Sequence, residues 1–518
     1  MENFISKRLL IFLLFLAVLL RLATLGIYPL MDTTESRYAD VGRQIIVYND
    51  WVTPRYPLGE PYWGKPPLSF WFTAISFKTL GVSEFTSRLP SFLTAALLVL
   101  IVFYFARKFY GDQVAYLSSI ILVSTGIFHV MSSVVSTDMA LTATIAISMI
   151  AFIVAIYGEE ASNTSSVGIS SAGSGRPAIS LLDPAPVKPG VIWGYVFFAG
   201  LGLSMLAKGP LGVALVFIAI FLWTVLFGEY RKVIFRLPWI SGGILALAIC
   251  LPWYLLMEQR NPGYLKYFLI GEHIYKYLQP GWKGDLFGNP HRQPFGSIWA
   301  FFLADALPWI LMMLFALYIT LKNKIYNEIF IRKPVLAYVF IWMLTPALLF
   351  TPAKNIQMTY NLYAMPAFAI FTSVLIVAIW RRESSIPRFL SPFLIKICAF
   401  SVLVFFAIFE ITVLPGIAER NTQKGIIEYI VKQENGVIPK IVYVLDRVPF
   451  SASFYAKDNA SSIIWTKEEK KKITTDAGMC YIVIRHDNDS VKFFLGMPPG
   501  RISHKSTIDG HYIFRRNN

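Results

Sequence analysis

The sequence predicts a polytopic α-helical membrane protein of about 11–13 transmembrane helices with a small C-terminal α/β domain outside the membrane. Three observations predict it. The 518 residues are 55% hydrophobic and only 15% charged, against roughly one quarter charged in a soluble domain, and the mean hydropathy is +0.55. Apolar windows long enough to cross ~30 Å of hydrocarbon recur along the chain. After Pro415 the composition becomes that of a soluble domain.

Taken in order, about eleven windows qualify as spans. They lie near 8–25, 88–107, 113–129, 138–157, 191–207, 210–228, 237–257, 297–320, 333–351, 360–380 and 391–413. Lys7 and Arg8 precede the first, and no small-residue cleavage site follows it. It is expected to be a retained span with the N-terminus in the cytoplasm. The loops then falling inside carry Arg107/Lys108, Arg231/Lys232/Arg236, Lys322/Lys324/Arg332/Lys333 and Arg381/Arg382/Arg388, which is the positive-inside pattern. Lys and Arg total 47 against 31 Asp and Glu. Because so much of that excess sits in short loops between spans, nucleic acid is excluded as a partner. Loop 158–190 is rich in Ser, Gly and Ala and reads as a flexible linker. The three cysteines show no metal spacing.

The chain divides in sequence into a membrane domain, 1–413, which includes an extracytoplasmic loop 31–90, and a C-terminal domain, 414–518. In the latter, Gly425–Gln433 reads as a helix, and Lys440–Leu445, Ser462–Trp465, Tyr481–Arg485 and His511–Arg515 as strands. No catalytic constellation is visible there. A lid or docking module is the simplest use for it.

Chemistry gathers on the face opposite the N-terminus. Cations depart from the positive-inside bias at Lys65, Lys208, Arg260, Lys276, Lys283, Arg292 and Lys354, and a bound anion is the simplest reason. Asp32-Thr33-Thr34-Glu35 opens a helical pattern reaching about Tyr48. Asp32 or Thr33 suits an N-cap, and Glu35 sits in the favoured first turn. Asp138 opens the fourth span on the same face. Ionisable groups at a membrane edge are functional candidates, and carboxylates there suit general-base work or binding of a polyhydroxyl substrate. Lys65-Pro66-Pro67 predicts a helix starting at Pro66 or Pro67. A lysine beside a helix N-terminus is suited to a phosphate rather than to the helix dipole. Adjacent Glu272 and His273 supply two ligands for a divalent metal but not a full set. Lys354 and Tyr360 or Tyr363 suit a phosphate or sugar pocket, although interfacial anchoring is the commoner use of such tyrosines.

The ordered segments ESRYADVGRQIIVYNDWVTPR, PYWGKPPLSFW, GVSEFTSRLPS, TDMALT, MLAKGP, EHIYKYL and TPAKNIQMTYNLYAMPAF resemble the bacterial aminoarabinose-transferase and protein O-mannosyltransferase-like group of polytopic glycosyltransferases, which have the GT-C fold. The resemblance covers residues 5–380. It implies inverting transfer of a monosaccharide from a polyprenyl-phosphate carrier to lipid A, another envelope glycan or a protein acceptor. The setting it implies is the periplasmic face of a bacterial inner membrane, with the C-terminal domain periplasmic. It also implies Glu35, Asp32 and Asp138 as catalytic acids. Lys65, with Arg37, Tyr38, Tyr62, Lys276, Lys354 and Tyr360, would contact lipid phosphate or sugar. No cofactor is required outright; a divalent metal, Zn or Mg, on His273 is the metal expectation. Three positions depart from the family pattern. Thr34 stands where an Asp is usual, Gly64 where a Glu is usual, and Lys276 where an Arg is usual, which removes bidentate phosphate binding. These changes bear on the substrate more than on the reaction. The rival classes are a polyprenyl-lipid transporter or flippase and a non-catalytic scaffold. Transporters often show internal repeats with polar residues near the midplane; here no repeat is seen and the polar residues gather on one rim.

Overall fold

The computed structural model describes residues 6–56, 59–157, 190–235, 237–279, 281–287, 291–323, 334–382, 390–445, 447–463, 480–485, 502–508 and 510–516. The expected linker 158–190 and most of loops 322–334 and 381–391 lie outside these. Grouped by contacts, the chain forms two compact units. One holds Met1–Ala23, Trp63–Ser69 and Leu89–Ala407, and the other Thr24–Tyr62, Phe70–Arg88 and Ile408–Asn518. The boundary expected at 413/414 is a different cut, made along the sequence.

The first unit is a helical bundle. Among the described residues, six helices are long and apolar enough to cross a membrane, or seven if one bent pair is a single span. Three shorter apolar helices, Asp112–Val123, Pro210–Leu226 and Pro334–Phe350, stand where spans were expected. Two expected spans are not straight. The window 113–129 is broken into Asp112–Val123 and Gly126–Met131. The window 297–320 is split into Ser297–Asp305 and Trp309–Lys322, bent by 100°. Pro308 sits at that bend, where its missing N–H and ring interrupt the helical ladder.

The centre of the bundle is occupied by Asp138–Tyr157 and by Met358–Arg381, whose apolar windows are 94% and 100% buried. A helix apolar on all sides must be enclosed. Asp138–Tyr157 is also rich in Ala, Ser and Thr, and small residues let helices approach closely. It packs against Val191–Lys208 and Pro210–Leu226. A Cβ on Gly212 would lie 2.8 Å from both Leu141 and Ser204, so the last of these contacts requires a glycine.

In the second unit, a five-stranded sheet runs in the order β2-β1-β3-β5-β4. The strands are β1 Lys440–Val444, β2 Ala460–Ile463, β3 Cys480–Arg485, β4 Ile502–Ile508 and β5 His511–Arg516. β1 is parallel to β2 and β3, and β5 runs antiparallel to β3 and β4. The β1–β2 pairing needs a crossover, and the helix Phe450–Ala456 lies between these strands in sequence. That helix and β4 were not expected. Ile426, Ile427 and Ile430 of helix Lys424–Gln433 join Ile441, Tyr443 and Ala452 in one buried cluster. Val442, Ile482, Ile484 and Phe514 form another. Helix Thr34–Val47 packs on Phe450–Ala456.

Candidate functional site

In the first unit, Lys65 and Lys276 meet at one carboxylate. Lys65 Nζ lies 3.0 Å from Glu272 Oε2 and Lys276 Nζ 3.2 Å from Glu272 Oε1. The Tyr267 hydroxyl donates to the same Oε1 at 3.0 Å, and Lys276 also reaches Asp285 at 2.9 Å. Glu272 and Lys276 are brought onto one side by the wide-turn π-helix Lys266–Tyr275 and the turn that continues it. Burial pushes the Glu272 carboxyl up, but Lys65 and Lys276 outweigh it and hold it down at about 2. The group is therefore ionised at any physiological pH. The helix expected to start at Pro66 or Pro67 begins at Leu68, just beyond the two prolines.

A second cluster stands at the head of the enclosed helix. Lys208 Nζ is 2.5 Å from Asp138 Oδ1. The Tyr363 hydroxyl donates to the same oxygen at 2.6 Å, and Lys208 donates to that hydroxyl at 3.0 Å. Lys208 also lies over the Tyr360 ring, 5.1 Å from its centroid, a cation–π contact. Asp138 is the first residue of its helix, and its own N–H donates to Ser136 Oγ. Its side chain is thus directed to tertiary partners and not to capping. No partner of Asp138 Oδ2 is found among the described residues.

His273 ties the two clusters together. Its Nδ1 lies 2.8 Å from the Phe268 carbonyl and its Nε2 3.1 Å from the Lys208 carbonyl. Burial pulls its pKa down. With both ring nitrogens turned to backbone oxygens, and Glu272 taken by lysines, His273 does not join a metal-ligand set. No group of three or more His, Cys, Asp or Glu able to hold a metal occurs among the described residues. Gly209 makes the junction possible. Its φ is +82°, and a Cβ there would sit 2.8 Å from the Phe268 ring and 2.9 Å from His273. Gly209→Ala is expected to cost about 1–3 kcal/mol, from overpacking against rings that cannot give way. Thermal unfolding of the detergent-purified protein measures it, and an unchanged midpoint would refute the crowding.

Lys354 stands apart from these clusters. It is exposed and lines a cavity of about 270 Å³ with Arg292, Gln293, Phe295, Pro352 and Ala353. Its carbonyl accepts the Gln293 N–H at 3.1 Å.

The other expected residues belong to the second unit. Glu35 is gripped side-on by Arg88, with Nε to Oε1 and Nη2 to Oε2 both at 2.8 Å. The same guanidinium donates to the carbonyls of Leu25, Tyr28 and Pro29. Asp32 receives Ser36 Oγ at 2.8 Å and the Ser451 N–H at 2.9 Å, and is also bonded by the Ser451 hydroxyl. Burial pushes the Asp32 carboxyl up against the pull of these bonds. Thr33 is the N-cap residue of helix Thr34–Val47, but no side chain caps it. The capping expected of Asp32 or Thr33 is replaced by tertiary bonds to the helix at Ser451. Arg37 lies over the rings of Tyr38 and Phe450, at 5.0 and 5.5 Å. Tyr38 and Tyr62 are buried in one aromatic cluster with Tyr56 and Phe70.

Sequence reasoning named Lys208 only among the off-pattern cations, Tyr363 only as an alternative to Tyr360 and Glu272 only as a metal ligand, and it did not select Asp285 or Arg88. For Lys208 a signal was present: it is a cation off the positive-inside pattern beside a Gly-Pro. The others are ordinary polar residues until the fold pairs them.

Residues 5–173 match the family model described as dolichyl-phosphate-mannose-protein mannosyltransferase. The chain is 27% identical over 353 residues to an undecaprenyl phosphate-alpha-4-amino-4-deoxy-L-arabinose arabinosyl transferase of Aeromonas hydrophila, covering 66% of this chain and 54% of that protein. It is 24% identical over 349 residues to the protein of the same description from Serratia proteamaculans, with the same coverages. The chain thus spans about half the length of the curated relatives it matches. Among solved structures, ArnT from Cupriavidus metallidurans bound to undecaprenyl phosphate superposes with a TM-score of 0.74 at 15% identity, covering 98% of this chain and 97% of that one. The oligosaccharyltransferase of Archaeoglobus fulgidus gives 0.51 at 11% identity, covering 94% and 71%. Taken with the multi-pass helical bundle and its small sheet domain, these likenesses show that the chain shares the fold of the ArnT structure and is similar in sequence to the mannosyltransferase family model and to the aminoarabinose transferases.

Proposed function

We propose that this protein is an inverting glycosyltransferase of a bacterial inner membrane. It would move a monosaccharide from a polyprenyl-phosphate carrier to a lipid A, other envelope glycan or protein acceptor on the periplasmic side. The N-terminus would be cytoplasmic and the sheet domain periplasmic. The observation that carries this reading is the convergence of Lys65 and Lys276, far apart in sequence, on one buried carboxylate. Two ammonium groups held around one point suit a phosphate. Support also comes from the relatives named as undecaprenyl-phosphate-sugar transferases.

In the proposed reaction the acceptor oxygen attacks the anomeric carbon. The bond from that carbon to the phosphate oxygen breaks, and its electron pair leaves with the phosphate. Lys65 and Lys276 stabilise the charge left there, an electrostatic role. Of the three acids, Asp138 suits contact with a sugar or acceptor hydroxyl, because Lys208 and Tyr363 occupy only Oδ1. It would take the proton of a hydroxyl acceptor; a phosphate acceptor needs no base. Glu35 and Asp32 act as anchors of the extracytoplasmic loop.

The test is reconstitution of the full chain in proteoliposomes with a labelled polyprenyl-phosphate sugar and lipid A or protein acceptor. Label is expected on the acceptor, with free polyprenyl phosphate released in equal amount. Movement of intact labelled lipid across the bilayer without cleavage would establish a flippase in its place.

A further inference from the structure

Glu272 is an odd resident for a phosphate site. Its side chain is 4% exposed, whereas those of Lys65 and Lys276 are 19% and 23% exposed. The carboxylate therefore lies behind the two ammonium groups. Tyr267 donates to it from its own helix, and Asp285 holds Lys276 from the following loop. Tyr264 and His273 are the other titratable groups close enough to feel its charge. The two lysines are balanced by two carboxylates, so the cluster is neutral overall. Any phosphate reaching the lysines also meets the repulsion of Glu272, and that repulsion grows with the phosphate's own charge.

The two phosphates of the proposed reaction differ in charge. A sugar-linked carrier is a phosphodiester with one negative charge. The carrier released by transfer is a monoester, whose second proton leaves near pH 6, giving close to two charges at neutral pH. Resting on the proposed transferase reading, we infer that Glu272 is a charge-discriminating residue. It lets Lys65 and Lys276 hold the singly charged donor and weakens their hold on the doubly charged carrier left behind, so that the spent carrier departs. Glu272 acts through the two lysines and is a positioning residue for them.

The experiment measures binding of undecaprenyl phosphate to the full chain in nanodiscs, for wild type, Glu272→Gln and Glu272→Asp. Glutamine keeps the shape and the acceptor for Tyr267 while removing the charge. It is expected to tighten binding by about tenfold at about pH 7.5 and about threefold at about pH 5, because the repulsion removed scales with ligand charge. A sugar-linked undecaprenyl phosphodiester should tighten by about threefold at both. Aspartate keeps the charge and should keep the wild-type pH dependence. Unchanged or weaker binding by Glu272→Gln, or a gain that does not vary with pH, overturns the inference while leaving the phosphate site standing. A wild-type protein that binds no undecaprenyl phosphate overturns that site and the inference together.

Discussion

Lys65→Ala is expected to lower sugar transfer by about 10²–10³ in kcat, the usual effect of removing a group aimed at developing charge. Membrane insertion should be unaffected. The side chain is part-exposed and donates to the Gly64 carbonyl and to Glu272. Its loss leaves Glu272 with Lys276 and Tyr267, so that carboxylate is not stranded and the fold should survive. Arginine at the same position keeps the charge but changes its shape from a point to a planar fork. It is expected to recover part of the rate. Transfer measured in proteoliposomes at equal protein content decides the matter, and full activity in Lys65→Ala would remove Lys65 from the mechanism.

Arg88→Ala should be strongly destabilising to the second unit. Arg88 is fully buried and lies 3.8 Å from the Tyr28 ring centroid. Alanine leaves the Glu35 carboxylate buried without its counter-charge and three carbonyls without their donor. Breaking such a pair from one side costs about 3–5 kcal/mol, a large part of the roughly 5–15 kcal/mol that holds an ordinary domain folded. The loss should appear as a fall in unfolding temperature in detergent and in membrane yield. Replacing both partners, Arg88→Met with Glu35→Leu, removes the stranded charge and should restore much of the stability. The pair also separates two roles for Glu35. An anchor predicts a stable and active double variant; a catalytic acid predicts a stable and inactive one.

Hydropathy made the bundle legible because a span must be long and apolar whatever its neighbours are. It did not reveal the breaks at 297–320, where Pro308 divides one apolar window into two helices, and at 113–129, where the window breaks near Ser124. In the sheet domain, β1, β3 and β5 announce themselves by β-branched and aromatic runs. β4, whose sequence is ISHKSTI, is polar and, among the described residues, pairs on one side only, as edge strands commonly do. The site was legible one residue at a time. Lys65 stood out through its prolines and Lys276 as a cation in a loop expected to depart from the positive-inside pattern. What a sequence does not display is pairing across hundreds of residues. Glu272 beside His273 suggested a metal, yet its partners are two lysines and a tyrosine. Glu35 has the position of a cap or an acid, yet Arg88, 53 residues away, claims it.

The enclosure of helix Asp138–Tyr157 carries a consequence for the lipid environment. Helices that touch lipid answer a thicker or thinner bilayer by tilting or by stretching the chains around them. This helix offers the bilayer almost no surface, so its tilt is dictated by the protein around it. The carboxylate at its head is accordingly fixed in depth by packing. A cell that alters the length of its acyl chains, as growth temperature demands, would move the outer helices while leaving Asp138 where Lys208 and Tyr363 hold it.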